Sequence, residues 1–535
     1  MLRRDVNPGG PARAGTTAVW CLLALAVRLG AVLALHDRAY LMDHLSYVFW
    51  GQLAVSRGLS AMYMAPAEWA RPENTPYRVY TGANRFADRQ LLPQPPIPLA
   101  DRPQTVNWTS DDGLTLTLEF PSGSGTLAYA IYRPLPFGYP PVAAVLYAAL
   151  GHLHRWFDPT QTPDTRLAHV LFAAPAILCD VLLALLVAAA LRARGGVFSP
   201  RAGLLLTLFA PALIWDSSVW LQTDSIGAVF IVGALLCVLH KRLPLASMLC
   251  GVGLLVKPQV VLTLPVLALA AVEGASWRRT AVAALAGLAT IIAGAWPFLL
   301  SGGLRWFEVA YVANGSLLAG LTLSAANPWW IVSLFRGALL EASTWPAHPS
   351  PDAWKSPLLS DRLPWIMGLT PRAVGLVLFV SAAVLAWVVV RRPLRNGAAV
   401  CVFAYLFYLA AFIFPTEVHE RYIIYALPLS LLAAAELRSV RASCWVLQVV
   451  CLINVAGYMF LELPVEQTGF GAADWGKVVV LGAAAAVTPL LFILPLVELW
   501  YRPREPLTAQ GSPNVAAPHW PVPTAGAQRR RWLRS

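Results

Sequence analysis

The sequence predicts an all-α polytopic membrane protein with about twelve transmembrane helices, and three observations carry this prediction. Hydrophobic residues make up 57% of the 535 residues, whereas charged residues make up 13%, about half the share in a typical soluble protein. Apolar runs recur along the whole chain, and several reach the roughly 20 residues that cross a hydrocarbon core. Short basic clusters alternate between these runs, as they do when Lys and Arg collect in cytoplasmic loops.

Each predicted span is an apolar run that ends at a basic cluster or a polar turn. The first run follows Arg13 and contains Arg28, and no small-x-small cleavage site comes after it. We therefore interpret it as a retained helix and not as a signal peptide. With the N-terminus inside, every short basic cluster falls on the cytoplasmic side. The twelve spans are 17–36, 169–192, 200–216, 224–239, 243–256, 259–273, 279–300, 370–390, 396–414, 421–436, 441–460 and 475–499.

These spans divide the chain into segments with different expected surroundings. The tail is rich in Pro, Gln and Arg, a composition that predicts disorder. The segments are a cytoplasmic N-terminus (1–16), the first transmembrane helix (17–36), a large outer first loop (37–168), helices two to seven (169–300), an outer loop (301–369), helices eight to twelve (370–500) and a basic cytoplasmic tail (501–535).

The outer first loop is predicted to contain surface helices and a small, partly β insert. LTLTLEF at 114–120 alternates with period two, which is typical of a strand. The stretch 140–156 is apolar enough to resemble a span, but a full span there would place the cluster RARGG outside, so we interpret it as a surface helix. Helices five and six are short, which leaves open a broken hairpin that crosses only partly.

Composition also excludes several function classes. The net charge of +12 is explained by the cytoplasmic basic clusters, so no nucleic-acid partner is predicted. All seven cysteines lie in apolar segments, and there is no CxxC pair or metal-ligand spacing, so neither disulfides nor a metal is predicted. The Ala- and Arg-rich composition favours a bacterial cytoplasmic membrane, with the endoplasmic reticulum as the equivalent in a eukaryote.

Unusual polar residues gather at the outer ends of the predicted helices. Ionisable groups in such places are costly, and they usually pair with one another or serve a ligand. Carboxylates and histidine suit proton transfer, whereas lysine and arginine suit phosphate. Together they indicate the transfer of a group from a phosphate-bearing lipid at the outer leaflet. The group includes Asp43, Tyr139, Asp216, Gln222, Asp224, Lys257, Gln259, His419, Glu420 and Arg421.

Considered singly, these residues have simpler explanations. Asp43 could cap the helix HLSYVFWGQLAVSR that follows it. Lys257 and Arg421 could extend to lipid headgroups, and His419 could be a structural histidine. Asp180, within LCDVLLALL, is predicted to be a buried hydrogen-bonding residue. The gathering of the others at one membrane face favours the functional explanation.

Short motifs in register carry a resemblance to a known family. They are Asp43 with Trp50, Leu59 and Tyr63 behind it, then YPPV (139–142), CDVL (179–182), WDSSVWLQTDS (215–225), VKPQ (256–259) and VHERY (418–422). In these motifs the chain resembles the GT-C glycosyltransferases, which take sugar from a polyprenyl-phosphate carrier. It is most similar to the dolichyl-phosphate-glucose-dependent glucosyltransferases of N-glycan assembly, in which a histidine stands at the position of Trp220, and to bacterial mannosyltransferase-like relatives.

The resemblance implies a GT-C-like bundle that transfers a hexose, mannose or glucose, with inversion and without a nucleotide sugar. It implies that Asp43 is the general base on the acceptor hydroxyl, and that Arg421, Lys257 and His419 bind the donor phosphate. It implies no metal and no cofactor, and its expected partners are the bilayer, a lipid-linked sugar donor and a glycan or glycolipid acceptor. The residues assigned to substrate binding are Gln222, Asp224, Asp216, Trp50, Tyr139, Gln259 and Glu420.

Two other activities would use the same lipid and the same membrane face. A flippase or transporter for a lipid-linked sugar would also bind polyprenyl phosphate, but transporters are typically built from inverted repeats with a site near the midplane. The chain has no internal repeat, and its polar groups lie at one face. A ligase or polymerase for lipid-linked saccharides is the other alternative.

Overall fold

The computed structural model describes residues 12–64, 66–69, 71, 74, 78–80, 91–109, 115–120, 122–124, 126–195, 197–313, 320–340, 360–462 and 475–503. This part of the chain is mainly α-helical. Almost all of the tail that is predicted to be disordered lies outside the described residues. Most residues of the predicted cytoplasmic N-terminus lie outside them as well.

Helices occur from the start of the described residues to their end, with the strands between the third helix and the fourth. In chain order they are α1 (Ala12–Ala34), α2 (Leu41–Arg57), α3 (Pro66–Trp69), α4 (Pro141–Phe157), α5 (Arg166–Arg194), α6 (Pro200–Leu208), α7 (Pro211–Ser218), α8 (Asp224–Leu239), α9 (Leu243–Leu254), α10 (Thr263–Gly274), α11 (Trp277–Gly302), α12 (Arg305–Phe307), α13 (Pro328–Leu340), α14 (Pro371–Val390), α15 (Asn396–Ile413), α16 (Ala426–Ala433), α17 (Arg438–Gly457) and α18 (Trp475–Tyr501).

Seven of the described helices are long and apolar enough to cross a membrane, namely α1, α5, α11, α14, α15, α17 and α18. Each coincides with one of the predicted spans. Their lipid-compatible surfaces make this a membrane protein, because a soluble fold does not expose so many long apolar helices. The prediction of a helical membrane protein is confirmed at this level.

The other five predicted spans contain shorter or interrupted helices. Span three is divided into α6 and α7, because Pro211 lacks the backbone N–H that a continuous helix needs. Spans six and ten begin as 3₁₀ turns at Pro258–Leu262 and Glu420–Tyr425 before α10 and α16. That these five segments also cross the membrane, which gives twelve spans in all, stays a prediction.

The first loop folds into helices and strands that pack on one end of the bundle. Helix α2 crosses α4 where Gly51 meets Gly151, since only glycine leaves room for two backbones at this distance. The described residues of the insert form five antiparallel strands, and the strand predicted at 114–120 is confirmed. One sheet has the order β1 (Arg78–Tyr80), β5 (Thr126–Tyr132), β2 (Leu91–Pro98), and the other pairs β3 (Gln104–Thr109) with β4 (Thr115–Phe120).

A buried ion pair links the helices below this end of the bundle. Arg28 Nε of α1 lies 2.7 Å from Asp180 Oδ2 of α5, and neither side chain is exposed. The hydroxyls of Ser217 and Ser225, from α7 and α8, donate to the same carboxylate. The prediction that Asp180 is a buried hydrogen-bonding residue is therefore confirmed, and its partner is the arginine of the first apolar run.

Charged residues distinguish the two ends of the bundle. Helix α5 has 29 residues and is therefore about 43 Å long. At its C-terminal end Arg194 pairs with Glu436, and at the same end Arg391, which follows α14, pairs with Glu273 in the last turn of α10. At its N-terminal end α5 meets the first loop. The basic clusters between the predicted spans thus lie at one end, and the predicted site residues lie at the other.

Candidate functional site

Asp43 lies in the first turn of α2 and is held from across the molecule. Its Oδ2 accepts hydrogen bonds from Trp220 Nε1 at 2.9 Å and from Gln222 Nε2 at 2.5 Å. The helix begins at Leu41 after Tyr40, so Asp43 is not its N-cap residue. The geometry therefore does not favour the capping alternative. Asp43 as a residue is half-buried.

The turn between α7 and α8 aims both of these donors at Asp43. Leu221, between Trp220 and Gln222, is buried and has φ of +65°, a left-handed conformation that is unfavourable for a branched side chain. Such a conformation persists where the surroundings fix it. Here the indole of Trp220 packs against the rings of Tyr40 and Tyr458, at centroid distances of 5.7 and 5.5 Å, and the two tyrosine rings also contact each other.

Two cations meet one carboxylate at the start of α8. Lys257 Nζ lies 2.7 Å from Asp224 Oδ2, and Arg421 Nε lies 3.7 Å from the same oxygen. The other oxygen of Asp224 accepts a hydrogen bond of 2.7 Å from the hydroxyl of Tyr425. Helix α9 ends at Leu254 and a 3₁₀ turn begins at Pro258, which leaves Lys257 in the turn between them, facing Asp224. Asp224 therefore holds two positive charges side by side.

Arg421 lies between an acidic neighbour and two aromatic rings. One terminal nitrogen donates to Glu420 Oε1 at 3.0 Å, and the guanidinium carbon lies 5.6 Å from the ring centre of Trp220 and 5.8 Å from that of Tyr422. Burial and the nearby Arg421 lower the pKa of His419. At neutral pH His419 can therefore donate one hydrogen bond to a ligand but adds no full charge.

A segment that the sequence analysis did not single out positions the loop before Arg421. Residues 320–324 run beside 417–420, where Leu323 N donates to Val418 O at 3.0 Å and Glu420 N donates to Leu323 O at 3.3 Å. This pairing fixes His419 and Glu420 relative to the bundle. Isolated bridges of this kind have no periodicity, so the sequence contains no signal for them.

Asp216 adds a buried carboxylate to the cluster. It lies in the last turn of α7, its side chain is not exposed, and both of its carboxylate oxygens are without a hydrogen-bond partner among the described residues. It lies close enough to Asp224, Lys257 and Arg421 to interact with their charges. The backbone carbonyl of Asp216 accepts a hydrogen bond of 2.8 Å from Gln222 N, which ties the helix end to the turn that holds Asp43.

The remaining predicted residues divide into two groups. The ring of Tyr139 lies 5.9 Å from Lys257 Nζ, and the side chain of Gln259 reaches Tyr422, so both border the cluster. Trp50 is buried behind Tyr139, with ring centres 5.7 Å apart. Its indole N–H donates to the carbonyl of Leu135 at 2.8 Å, and this position favours a supporting role over contact with a substrate.

Trp220 is the residue of this site that sequence reasoning undervalued. It was noted only as a replacement for a histidine in the related motif, but its N–H bonds Asp43 and its ring lies beside Arg421. A tryptophan inside a run of polar residues was the available signal. Within the described residues, the one group of His and acidic side chains close enough to share a metal ion is His44, Asp164 and His169, outside this cluster.

The cluster can accept a proton and bind an anion at neighbouring points. Asp43 is the acceptor for the proton, and Arg421 with Lys257 offers N–H groups to an anion. Comparison of the chain with protein-family models and with curated proteins found no match. The chemistry of this site must therefore be argued from its own residues.

Proposed function

We propose that the protein is an integral membrane glycosyltransferase that moves a hexose from a polyprenyl-phosphate carrier to a hydroxyl of a lipid-linked or cell-envelope acceptor. One observation carries the proposal: Asp43 and Arg421 both contact Trp220, one at the indole N–H and the other beside the ring. A hydroxyl held at Asp43 and a phosphate held at Arg421 would be neighbours. Sugar transfer needs these two groups close together and oriented.

Asp43 acts as the general base of the proposed reaction. The acceptor hydroxyl donates its hydrogen to the carboxylate, and the proton moves to Asp43 as the oxygen attacks the anomeric carbon. The bonds from Trp220 and Gln222 fix the carboxylate in place without competing for that proton, because both are donors. The attack comes from the side opposite the phosphate, so the anomeric configuration is inverted.

Arg421 and Lys257 stabilise the leaving phosphate. The bond between the anomeric carbon and the phosphate oxygen breaks, and the negative charge on the phosphate increases as it does so. Fixed cations in a site from which water is largely excluded stabilise such charge more strongly than water does. Before the donor arrives, Asp224 keeps both cations in position through its contacts of 2.7 and 3.7 Å.

The charge distribution supports an outward-facing site. The basic clusters lie at the opposite end of the bundle from Asp43, and such clusters mark the cytoplasmic side. We therefore propose that the protein is a twelve-span enzyme with a GT-C-like bundle in a bacterial cytoplasmic membrane. Its site faces the outer leaflet, where the polyprenyl chain of the donor lies in the bilayer.

Purified protein in lipid nanodiscs tests the proposed reaction. Each assay supplies one donor labelled in the sugar, with an extract of cell-envelope lipids as the acceptor. The donors are polyprenyl-phosphate mannose and glucose, the matching nucleotide sugars and a lipid-linked oligosaccharide. We expect transfer only from a polyprenyl-phosphate hexose, with release of polyprenyl phosphate. Transfer from a nucleotide sugar alone would contradict the proposal. Movement of the donor between leaflets of a liposome, with no sugar transferred, would indicate a flippase instead.

A further inference from the structure

At the end of the bundle opposite the candidate site, arginines outnumber the carboxylates that could neutralise them among the described residues. Glu273 pairs with Arg391, and Glu436 pairs with Arg194. Glu498 accepts hydrogen bonds from two backbone N–H groups and a hydroxyl at the start of α17. These three carboxylates are already engaged, and they leave a surplus of positive charge in the turn between α14 and α15.

Arg392 and Arg395 carry this surplus. Neither side chain forms an ion pair within the described part of the chain. The guanidinium carbon of Arg392 lies 4.3 Å from the centre of the Trp500 ring, near the end of α18, and Arg395 is exposed. A guanidinium over an aromatic ring keeps its positive charge and its N–H donors. Both side chains are therefore able to bind an anion.

Apolar surfaces of α14 and α18 lie next to these arginines. Four aliphatic side chains in the last two turns of the two helices are 45–49% exposed, namely Leu385, Val388, Leu494 and Val497. Trp500 is 52% exposed at the end of α18, and tryptophan is enriched at the depth of lipid headgroups. A lipid whose phosphate meets the arginines would therefore place its acyl chains along both helices.

We propose that Arg392 and Arg395 bind the phosphate of an anionic phospholipid of the inner leaflet, where α14, α15 and α18 meet. Guanidinium groups match the geometry of phosphate and donate paired hydrogen bonds to it. Basic pockets between helices on the cytoplasmic side suit anionic headgroups for this reason. A zwitterionic lipid would bring a further positive charge to a place that already has a surplus, so it fits less well.

The surroundings favour a lipid over a free phosphate ion. Free phosphate could accept the same hydrogen bonds, but it would leave the apolar surfaces of α14 and α18 without a partner. The bilayer already holds the phosphate of a lipid at the depth of Trp500, so the lipid loses less freedom when it binds. The bound lipid holds the ends of α14 and α18 together. Because this end lies opposite Asp43, the lipid contributes to stability and not to sugar transfer.

Native mass spectrometry of the full-length protein in detergent tests the site. The purified protein is titrated with phosphatidylglycerol and, separately, with phosphatidylethanolamine that carries the same acyl chains. We expect the wild type to bind one phosphatidylglycerol more tightly than phosphatidylethanolamine. One arginine near a membrane surface changes the affinity for an anionic lipid by about fivefold, so a double variant with Arg392→Gln and Arg395→Gln should bind phosphatidylglycerol about thirtyfold more weakly.

The matched control carries Arg201→Gln and Arg278→Gln. Both of these arginines are exposed on the predicted cytoplasmic side, and their loss changes the net charge by the same amount. The control should bind phosphatidylglycerol like the wild type. Millimolar inorganic phosphate should not displace the lipid from the wild type, because the acyl chains contribute to its binding.

The unfolding temperature gives a second measurement, since phosphatidylglycerol should raise it more in the wild type than in the double variant. Equal affinity of the wild type for the two lipids would overturn the proposal. Wild-type affinity for phosphatidylglycerol in the folded double variant would do the same, as would displacement of the lipid by millimolar inorganic phosphate. None of these results bears on sugar transfer, so this inference and the proposed function can fail separately.

Discussion

At the scale of single residues, Trp220 connects the two halves of the candidate site. Its N–H is 2.9 Å from Asp43 Oδ2, and its ring lies 5.6 Å from the guanidinium of Arg421. A smaller residue would leave the carboxylate with one donor fewer and the arginine without this aromatic face. The indole therefore sets the separation of base and cation, which is the quantity that a transfer reaction depends on.

Arg421 should carry most of the phosphate stabilisation. Removing one fixed donor of this kind typically costs roughly 10²–10³ in rate, so Arg421→Ala should lower transfer by that factor. Arg421→Lys keeps the charge but loses the planar guanidinium beside Trp220 and Tyr422, and we expect an intermediate rate. Initial rates with purified variants give the comparison.

The control for Arg421 is Arg278→Ala, which removes an exposed arginine from a predicted cytoplasmic loop. Its transfer rate should match that of the wild type. If folded Arg421→Ala transferred sugar at the wild-type rate, the phosphate would have to bind elsewhere.

Glu417 should make stability depend on pH. Burial and the neighbouring Asp361 raise the pKa of Glu417 from 4.5 to about 7. The folded protein therefore holds this proton more tightly than the unfolded chain, and protonation stabilises the fold at low pH. That stabilisation is lost as the pH rises from the pKa of the unfolded chain, 4.5, through the pKa of the folded protein, about 7. Glu417→Gln stays uncharged, so its Tm relative to the wild type should rise between about pH 5 and about pH 8.

Thermal unfolding in detergent across this pH range measures the Glu417 effect. Glu308→Gln changes an exposed glutamate and should follow the wild-type curve. Parallel curves for Glu417→Gln and the wild type would show that Glu417 ionises in the folded protein as it does in the unfolded chain.

The site residues divide by how much the sequence reveals about them. Asp43, Lys257 and Arg421 were predicted because charges at the ends of apolar runs are conspicuous, and the structure brings them close to one another. The pairing of Arg28 with Asp180 was not predicted, because 152 residues separate them and no local pattern joins them. The signal that existed was the presence of one charge in each of two apolar runs, since such charges need a partner.

At the scale of helices and strands, apolar length and periodicity were sufficient to find the long helices and one of the strands. The long helices and the strand at 114–120 were predicted close to their observed bounds. The 3₁₀ start at Pro258 and the break before Pro211 were missed, because a hydrophobic run does not show where a proline interrupts the hydrogen bonds within it. The pairing of 320–324 with 417–420 depends on tertiary contact alone.

The crossing of α2 and α4 should be sensitive to a single methyl group. A Cβ at Gly151 would lie 2.4 Å from the carbonyl oxygen of Gly51 and 2.7 Å from its Cα. Gly151→Ala therefore forces the helices apart, and overpacking of this kind costs about 1–3 kcal/mol. The displaced helix α2 carries Asp43, so activity should fall as well as the unfolding temperature.

Gly30→Ala is the matched control for Gly151→Ala. Gly30 also lies within a helix, but a Cβ there meets no atom within 4 Å. Thermal unfolding should show no loss of stability for Gly30→Ala. A Gly151→Ala protein as stable as the wild type would mean that α2 and α4 are not packed this closely.

At the scale of the whole molecule, the chain separates charge along the bundle. Pairs such as Arg194 with Glu436 and Arg391 with Glu273 lie at one end, and Asp43 with its partners lies at the other. This polarity was predictable because the basic clusters follow the positive-inside rule. The number of spans was less accessible, since α9 and α10 have only 12 residues each.

Cysteine labelling should place the two ends on opposite sides of the membrane. Met367, whose side chain is 95% exposed, lies in the turn before α14 at the site end, and Arg278 lies at the other. In a background without cysteines, a membrane-impermeant maleimide should label Met367→Cys in intact cells. It should label Arg278→Cys only after permeabilisation. The reverse pattern would place the site in the cytoplasm and contradict the proposed outer-leaflet donor.

The most direct test of the central claim is the transfer rate of purified Asp43→Asn together with its affinity for the donor. Asparagine keeps the shape and an acceptor oxygen for Trp220 and Gln222, but it cannot take the proton. We predict a loss of roughly 10²–10⁴ in transfer rate with donor binding retained. Asp37→Asn, which changes an exposed carboxylate nearby, should behave like the wild type. Near-normal transfer by Asp43→Asn would contradict the assignment of Asp43 as the base.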